Sequence, residues 1–308
     1  MFEATTMLFE NPFESELLIP TLLRWGILFG AALVVLLVVR WRKGTSADVL
    51  LVRWRTWFFI APIYLFGILG GVATSALLIM GLTLQGLREY AHLVDMSPPY
   101  RRILLTMGFI VAPVAAVSAD GTYLLAPLLL IVATLQPLLL SNVPGGVRQL
   151  AFAALGWGYI AWFLGHLLLM RQYLPGGEGI LLALGLAVAM SDVGAFVLGK
   201  TMGRHKMTPR LSPNKTVEGV IGNFLGAYAG LFIMSFAVPA ESRTFVTLAL
   251  PLLVGIGALW GDLVESALKR EFGVKDAGSW LPGFGGILDR IDSLLIVAPL
   301  SYYVLKVL

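Results

Sequence analysis

Residues 179–199 read GILLALGLAVAMSDVGAFVLG, twenty-one positions with one ionisable side chain, Asp192. As a helix rising 1.5 Å per residue, such a run crosses the roughly 30 Å hydrocarbon layer of a bilayer. It reads as a membrane span, and a carboxylate inside one is costly in lipid, so Asp192 belongs on an interior face. Comparable runs fall at about 22–39, 57–70, 72–87, 103–118, 123–140, 150–170, 217–238, 244–264 and 288–307. Trp57 to Leu87 as one straight helix would be about 46 Å long, so Gly70 and Gly71 are read as a hairpin between two spans. The expected fold is an all-α polytopic membrane protein of about nine or ten transmembrane helices, with its polar site among the C-terminal spans.

Composition agrees. Hydrophobic residues make up 58% of the 308 and charged ones 13%, with a mean hydropathy of +0.85, which excludes a soluble globular class. The absence of cysteine excludes disulfides and thiolate metal sites, and three scattered histidines, His92, His166 and His205, speak against a zinc centre. A hard cation held by oxygens stays open. The net charge of +4 does not indicate nucleic acid, because the basic residues sit between spans rather than in a patch interleaved with aromatics. The first sixteen residues hold Glu3, Glu10, Glu14 and Glu16 and no Lys or Arg, unlike a cleaved signal, so the first helix is expected to stay in the mature chain. Trp25, Trp41, Trp54, Trp57, Trp157, Trp162, Tyr302 and Tyr303 sit near span ends as an interfacial belt.

Basic residues favour cytoplasmic loops. With the N-terminus outside, 18 of the 22 Lys and Arg fall on the inner side, the exceptions being Arg24, Arg171, Arg243 and Lys306. That pattern predicts an even number of spans, both termini outside, and the 200–219 and 266–292 segments facing the cytoplasm. The cluster from Arg40 to Arg55, Lys43 included, reads either as a topology determinant or as a patch for anionic lipid.

The character of the chain changes near residue 190. Residues 1–178 are expected to form a scaffold of transmembrane helices with dimer or lipid contacts. Residues 179–308 are expected to form the catalytic transmembrane region, because polar groups invade its helix ends: Ser191, Asp192, Asn223, Asp262 and Glu265. Gly194 to Thr201, GAFVLGKT, fits the phosphate-loop pattern, yet it ends a membrane helix and lacks the preceding strand, so that reading is rejected. Lys200 instead opens a cytoplasmic loop, KTMGRHKMTPRLSPNKTVEG, in which Pro209 and Pro213 bar a long helix and Ser212, Asn214, Lys215 and Thr216 surround a turn. It reads as an anion-binding loop, or as positive-inside charge with Thr216 capping the next span.

Residues 266–292, SALKREFGVKDAGSWLPGFGGILDRID, concentrate Lys269, Arg270, Lys275 and Arg290 with Asp276, Asp289 and Asp292 around a glycine-rich loop. Cations and carboxylates beside a flexible backbone suit a metal-bound phosphate. Asp289 and Asp292, three apart at the start of the last span, share a helix face, as either a cation site or a complement to the helix dipole. Asp262 and Glu265 repeat the spacing at a helix C-terminal end, where the dipole does not account for them. If the last two spans are neighbours, Asp262 can meet Asp289, and magnesium held by one or two carboxylates and completed by substrate phosphates fits that geometry.

Ser266-x2-Lys269-Arg270-x4-Lys275-Asp276-x-Gly278-x3-Pro282-Gly283-x-Gly285-Gly286-x2-Asp289-Arg290-x-Asp292 closely resembles the signature of the CDP-diacylglycerol synthase, or phosphatidate cytidylyltransferase, family. Ser191-Asp192 to Gly203, the Ser212 to Gly219 turn and Gly261 to Ser266 are similar to the same family's C-terminal half. The resemblance implies a nucleotidyltransferase of phospholipid biosynthesis in which CTP and phosphatidate give CDP-diacylglycerol and pyrophosphate with a divalent metal. It implies that Asp262 and Asp289 bind Mg2+ with Asp292 in support. Lys200, Lys215, Lys269, Arg270 and Lys275 are the candidates for phosphate contacts, and Ser212, Asn214 and Asp276 for nucleotide positioning. The same resemblance suggests a homodimer; size, the lack of a targeting segment and the form of the signature point to a bacterial plasma membrane, and the inner-side Lys and Arg to an active site facing the cytoplasm. A cavity open sideways to lipid is expected among the last four spans. Phe284 stands where the family pattern has histidine, and phenylalanine donates no proton. Alternatives are a transporter using Asp192, Asp262 and Glu265, a non-catalytic homologue, and the same chemistry on another lipid phosphate.

Overall fold

The computed structural model describes residues 8–44, 48–139 and 145–307; Glu3 and the side chain of Lys43 lie outside the described residues. Ten long helices follow one another among them: α1 (Leu18–Lys43), α2 (Asp48–Leu69), α3 (Val72–Leu93), α4 (Pro98–Val117), α5 (Ala119–Leu139), α6 (Gly146–Tyr173), α7 (Gly177–Thr201), α8 (Val217–Met234), α9 (Arg243–Glu271) and α10 (Leu288–Lys306). A π-helical turn, Trp157–Trp162, interrupts α6. The strands β1 (Lys206–Thr208) and β2 (Ser212–Thr216) form an antiparallel hairpin between α7 and α8.

Each apolar run became one helix, and eight of the ten helices are long and apolar enough to cross a membrane. The other two, α3 and α10, carry charge into the bundle: Glu89 on α3 and Asp289 and Asp292 on α10 are buried. The hairpin between α2 and α3 turns at Gly70 and Gly71, where Gly71 has φ +99°. Residues Leu8 and Glu10 bond to that turn, and the buried Arg171 of α6 pairs with Glu10 at 3.0 Å and Glu178 at 3.1 Å.

Helices in lipid gain little from apolar burial and associate where small residues let backbones approach. The α7–α8 seam is built this way, from Gly222, Gly226 and Gly230 on α8 against Met190, Gly194 and Ala187 on α7. A methyl group at Gly222 would stand 2.2 Å from the Gly194 carbonyl oxygen. A second seam joins α9 to α10 through Gly257 and Gly261, where a methyl on Gly261 would stand 2.1 Å from the Asp292 carbonyl oxygen. α10 is further packed by α3 and α6, which makes it the central helix of the charged region.

Candidate active site

The α9–α10 seam decides where the charges meet. Asp262, Glu265 and Lys269 recur at three- and four-residue spacing on α9, so they share one face, and the glycine contact holds that face against the first turns of α10. α9 runs to Glu271, beyond the end of the apolar run at 264, so Glu265 and Lys269 are helical neighbours. Lys269 Nζ donates to Glu265 Oε2 at 2.6 Å and to Asp289 Oδ1 at 2.8 Å. Asp289 Oδ2 also accepts from the backbone N–H of Ala277 at 3.0 Å and of Gly286 at 2.8 Å, so one carboxylate fastens both ends of the 277–286 loop to α10. Glu265 and Asp289 are almost fully buried. Such a triad is costly to desolvate, and removing its cation leaves two buried carboxylates uncompensated.

A second group lies one turn deeper. Lys215, at the end of β2, pairs with Asp262 at 2.7 Å. Asp262 is within hydrogen-bond reach of Asp292, Arg290 of α10 is near enough to both to act on their charge, and Asp192 of α7 is near enough to Asp262. Arg290 Nε and Glu265 Oε1 are buried with no protein partner among the described residues. Two facing carboxylates repel unless a proton or a cation lies between them. No three His, Cys, Asp or Glu side chains converge into a complete metal site among the described residues. An oxygen-only pair with spare valence suits a hard cation whose remaining ligands are phosphates and water, so these residues fit magnesium. The expected meeting of Asp262 with Asp289 takes a different form: Asp262 meets Asp292, and Asp289 meets Lys269, because the glycine seam sets the register.

The loop before α10 is held by residues from the other half of the chain. Glu89 of α3 accepts from the backbone N–H groups where the last helix begins, Ile287 just before it at 3.1 Å and Leu288 at 2.8 Å, and from Gln85 at 2.9 Å. Gly278 and Gly286 press against that carboxylate, and a methyl at Gly286 would stand 2.3 Å from Glu89 Oε2. Arg53 and Thr56 of α2 donate to the carbonyls of Gly283 at 2.9 Å and Pro282 at 3.0 Å. The loop closes on itself through Leu281 and Gly285, with Gly283 at φ +76° and Gly285 at φ +87°, conformations natural to glycine. The Phe284 ring lies under two guanidinium groups, Arg53 at 5.5 Å and Arg290 at 5.0 Å, and meets Trp57 edge-on. Phe284 thus anchors two cations.

The remaining sequence candidates lie around this centre rather than in it. Arg270, Lys275 and Asp276 are exposed on the loop side of α9, with Arg270 Nη1 donating to the Val274 carbonyl at 3.3 Å. Lys200 is exposed at the end of α7, 5.2 Å above the Phe196 ring. Ser212 and Asn214 lie on β2 beside Lys215. Thr216 caps α8, its hydroxyl accepting from Gly219 N at 3.1 Å. The GAFVLGKT segment is helical throughout, and Gly194 and Gly199 serve packing against α8. Arg53, Thr56 and Glu89 are the residues that sequence reasoning missed, and Arg290 was noted for its charge alone. A space of about 650 Å3 lies between α3, α4 and Trp280, and one of about 320 Å3 between α3 and the 277–280 segment.

The model of the cytidylyltransferase family matches residues 51–308. Over 115 residues the chain is 46% identical to a phosphatidate cytidylyltransferase of Staphylococcus haemolyticus, covering 37% of this chain and 44% of that protein. Over 150 residues it is 40% identical to a phosphatidate cytidylyltransferase of Staphylococcus saprophyticus, covering 49% and 56%. Over 182 residues it is 37% identical to the uncharacterized protein YnbB of Escherichia coli, covering 58% and 60%. The chain spans about half the length of the curated relatives it matches. On the family match, which takes in nearly all of α2 and everything through α10, with every residue of the charged centre, the chain belongs to the cytidylyltransferase family.

Proposed function

We propose that the chain transfers the cytidylyl group of CTP to phosphatidate, giving CDP-diacylglycerol and pyrophosphate. The observation that carries this reading is the pair of lysine-centred groups on one helix face, Lys269 with Glu265 and Asp289 and Lys215 with Asp262. A lipid phosphate oxygen forms a bond to the α-phosphorus of CTP. The bond from that phosphorus to the bridging oxygen of the β-phosphate breaks, and its electron pair leaves with pyrophosphate. Bringing two anions together is the main barrier, and positioned cations lower it. Bound magnesium would neutralise the triphosphate oxygens as a Lewis acid. Asp262 and Asp292 would hold it, with Asp289 one helical turn away. Lys215, which pairs with Asp262, Lys269, which pairs with Glu265 and Asp289, and Arg290 would take phosphate oxygens; Lys200, Arg270 and Lys275 would guide the triphosphate, and Ser212, Asn214 and Asp276 would position the nucleoside.

A phosphate monoester is already ionised at neutral pH, with a second pKa near 6, so the attacking group needs no base. Position 284 therefore needs no proton donor; there Phe284 orients Arg290. Bacterial relatives and the inner-side excess of Lys and Arg support a plasma-membrane enzyme with the site toward the cytoplasm.

Pyrophosphate release by purified protein tests the proposal, with CTP and phosphatidate, with and without magnesium, beside Asp262→Asn and Asp289→Asn. Metal-dependent release that needs phosphatidate and vanishes in both variants is the expected result. Folded protein that releases none, and gains none through Phe284→His, would overturn it.

A further inference from the structure

A groove of about 650 Å3 runs between α3, α4 and Trp280, and a smaller cavity of about 320 Å3 continues it, sharing Gln85, Arg88 and Trp280. Its walls change along α3. At one end stand Gly81, Leu84, Leu105 and Phe109; at the other stand Arg88, Glu89 and His92 with the Ala277–Gly278 backbone. Gly81, Leu84, Arg88 and His92 recur every three or four residues, so one face of α3 carries the gradient over about 16 Å.

The polar end abuts the charged centre. Glu89 holds the start of α10, and Ala277 donates to Asp289. Arg88 is exposed there and makes no ion pair among the described residues. Phe109 and Trp280 are exposed aromatic walls. One free guanidinium above an apolar trench matches a single phosphate joined to hydrocarbon, and matches poorly a nucleoside triphosphate, which offers no hydrocarbon to the trench.

We infer that this groove is the lipid acceptor site: the phosphate monoester of a diacyl lipid meets Arg88, and one acyl chain lies along Gly81, Leu84, Leu105 and Phe109 against Trp280. The inference rests on the proposed use of phosphatidate. It makes Arg88 and Trp280 specificity-determining residues and moves the lipid's path from the last four helices to the α3–α4 face.

Gly81 offers a direct test, because a methyl added there meets nothing within 4 Å, so a larger side chain fills the groove without disturbing packing. In Gly81→Leu the KM for dioleoyl phosphatidate should rise about 15- to 60-fold, the size of effect expected when two or three methylenes lose their contacts. The KM for CTP should not move, and the preference for dioleoyl over dihexanoyl phosphatidate should collapse. Arg88→Gln should raise the KM for both lipids. In parallel, a diazirine-bearing phosphatidate should label the segments around Phe109 and Trp280 in wild-type protein and not in Gly81→Leu. Labelling at other helices, an equal rise in the KM for CTP, or competition by inorganic phosphate or glycerol 3-phosphate as strong as by phosphatidate would overturn the site. Labelling at the groove without pyrophosphate release would instead overturn the proposed reaction and leave the site standing.

Discussion

Replacing Glu89 with glutamine should loosen the start of α10 and with it the charged centre. The carboxylate accepts three hydrogen bonds, two from the backbone of Ile287 and Leu288 at 3.1 and 2.8 Å and one from Gln85 at 2.9 Å. An amide offers one oxygen and one NH2 group, so one backbone N–H loses its acceptor and faces another donor. A buried donor left unsatisfied costs about 1 to 3 kcal/mol, and losing a negative charge at a helix N-terminus costs about 1 kcal/mol more. The predicted loss is therefore about 2 to 4 kcal/mol. Gly286→Ala should act on the same contact from the other side, because its methyl would stand 2.3 Å from Glu89 Oε2. Both variants should melt earlier by intrinsic tryptophan fluorescence in detergent. Both should lose roughly a hundredfold in turnover, the scale of a catalytic group displaced by about 1 Å. The double variant should be little worse than the worse single one, since both break one contact. Wild-type melting and turnover in Glu89→Gln would refute the capping role.

Lys269→Met should destabilise the fold by about 3 to 5 kcal/mol by stranding two buried carboxylates, read by resistance to SDS denaturation; adding Glu265→Gln should recover part of the loss. Gly222→Ala should abolish the monodisperse folded protein on size exclusion, whereas Gly26→Ala, where a methyl meets nothing within 4 Å, should leave the profile unchanged. Phe284→His should cost about 1 kcal/mol through weakened cation–π contacts with Arg53 and Arg290 and bring no gain in turnover at neutral pH, measured by pyrophosphate release beside a melting curve.

The helices were legible because lipid imposes a length: each apolar run had to become one helix, and Gly70-Gly71 had to turn. The i, i+3 carboxylates also placed the centre on the last two helices. What the sequence hid were contacts set by backbone approach. Glycines spaced four apart in α8 and α9 are visible as letters, yet which carbonyl each one meets depends on the partner helix, and that register sent Asp262 to Asp292. Glu89 was hidden for a related reason. Arg88 and Glu89 appeared to end the apolar run at residue 87, whereas α3 continues to Leu93 and buries Glu89 against backbone N–H groups about two hundred positions away. Backbone donors leave no mark in a sequence. The turn pair of Glu89 with buried Tyr90 and Ala91 was the available signal, since a charged loop does not alternate with residues that pack.

The grip of α2 on the glycine loop couples the site mechanically to its solvent. In α2 only Thr56, Ala61, Leu65, Ile68 and Leu69 are buried, and two loop carbonyls hang from its Arg53 and Thr56. A helix so placed takes its tilt from the thickness of the surrounding hydrocarbon. Bilayer thickness thereby becomes a force applied at Pro282 and Gly283, and turnover in nanodiscs of graded acyl length should trace a maximum at the thickness that leaves those two hydrogen bonds unstretched.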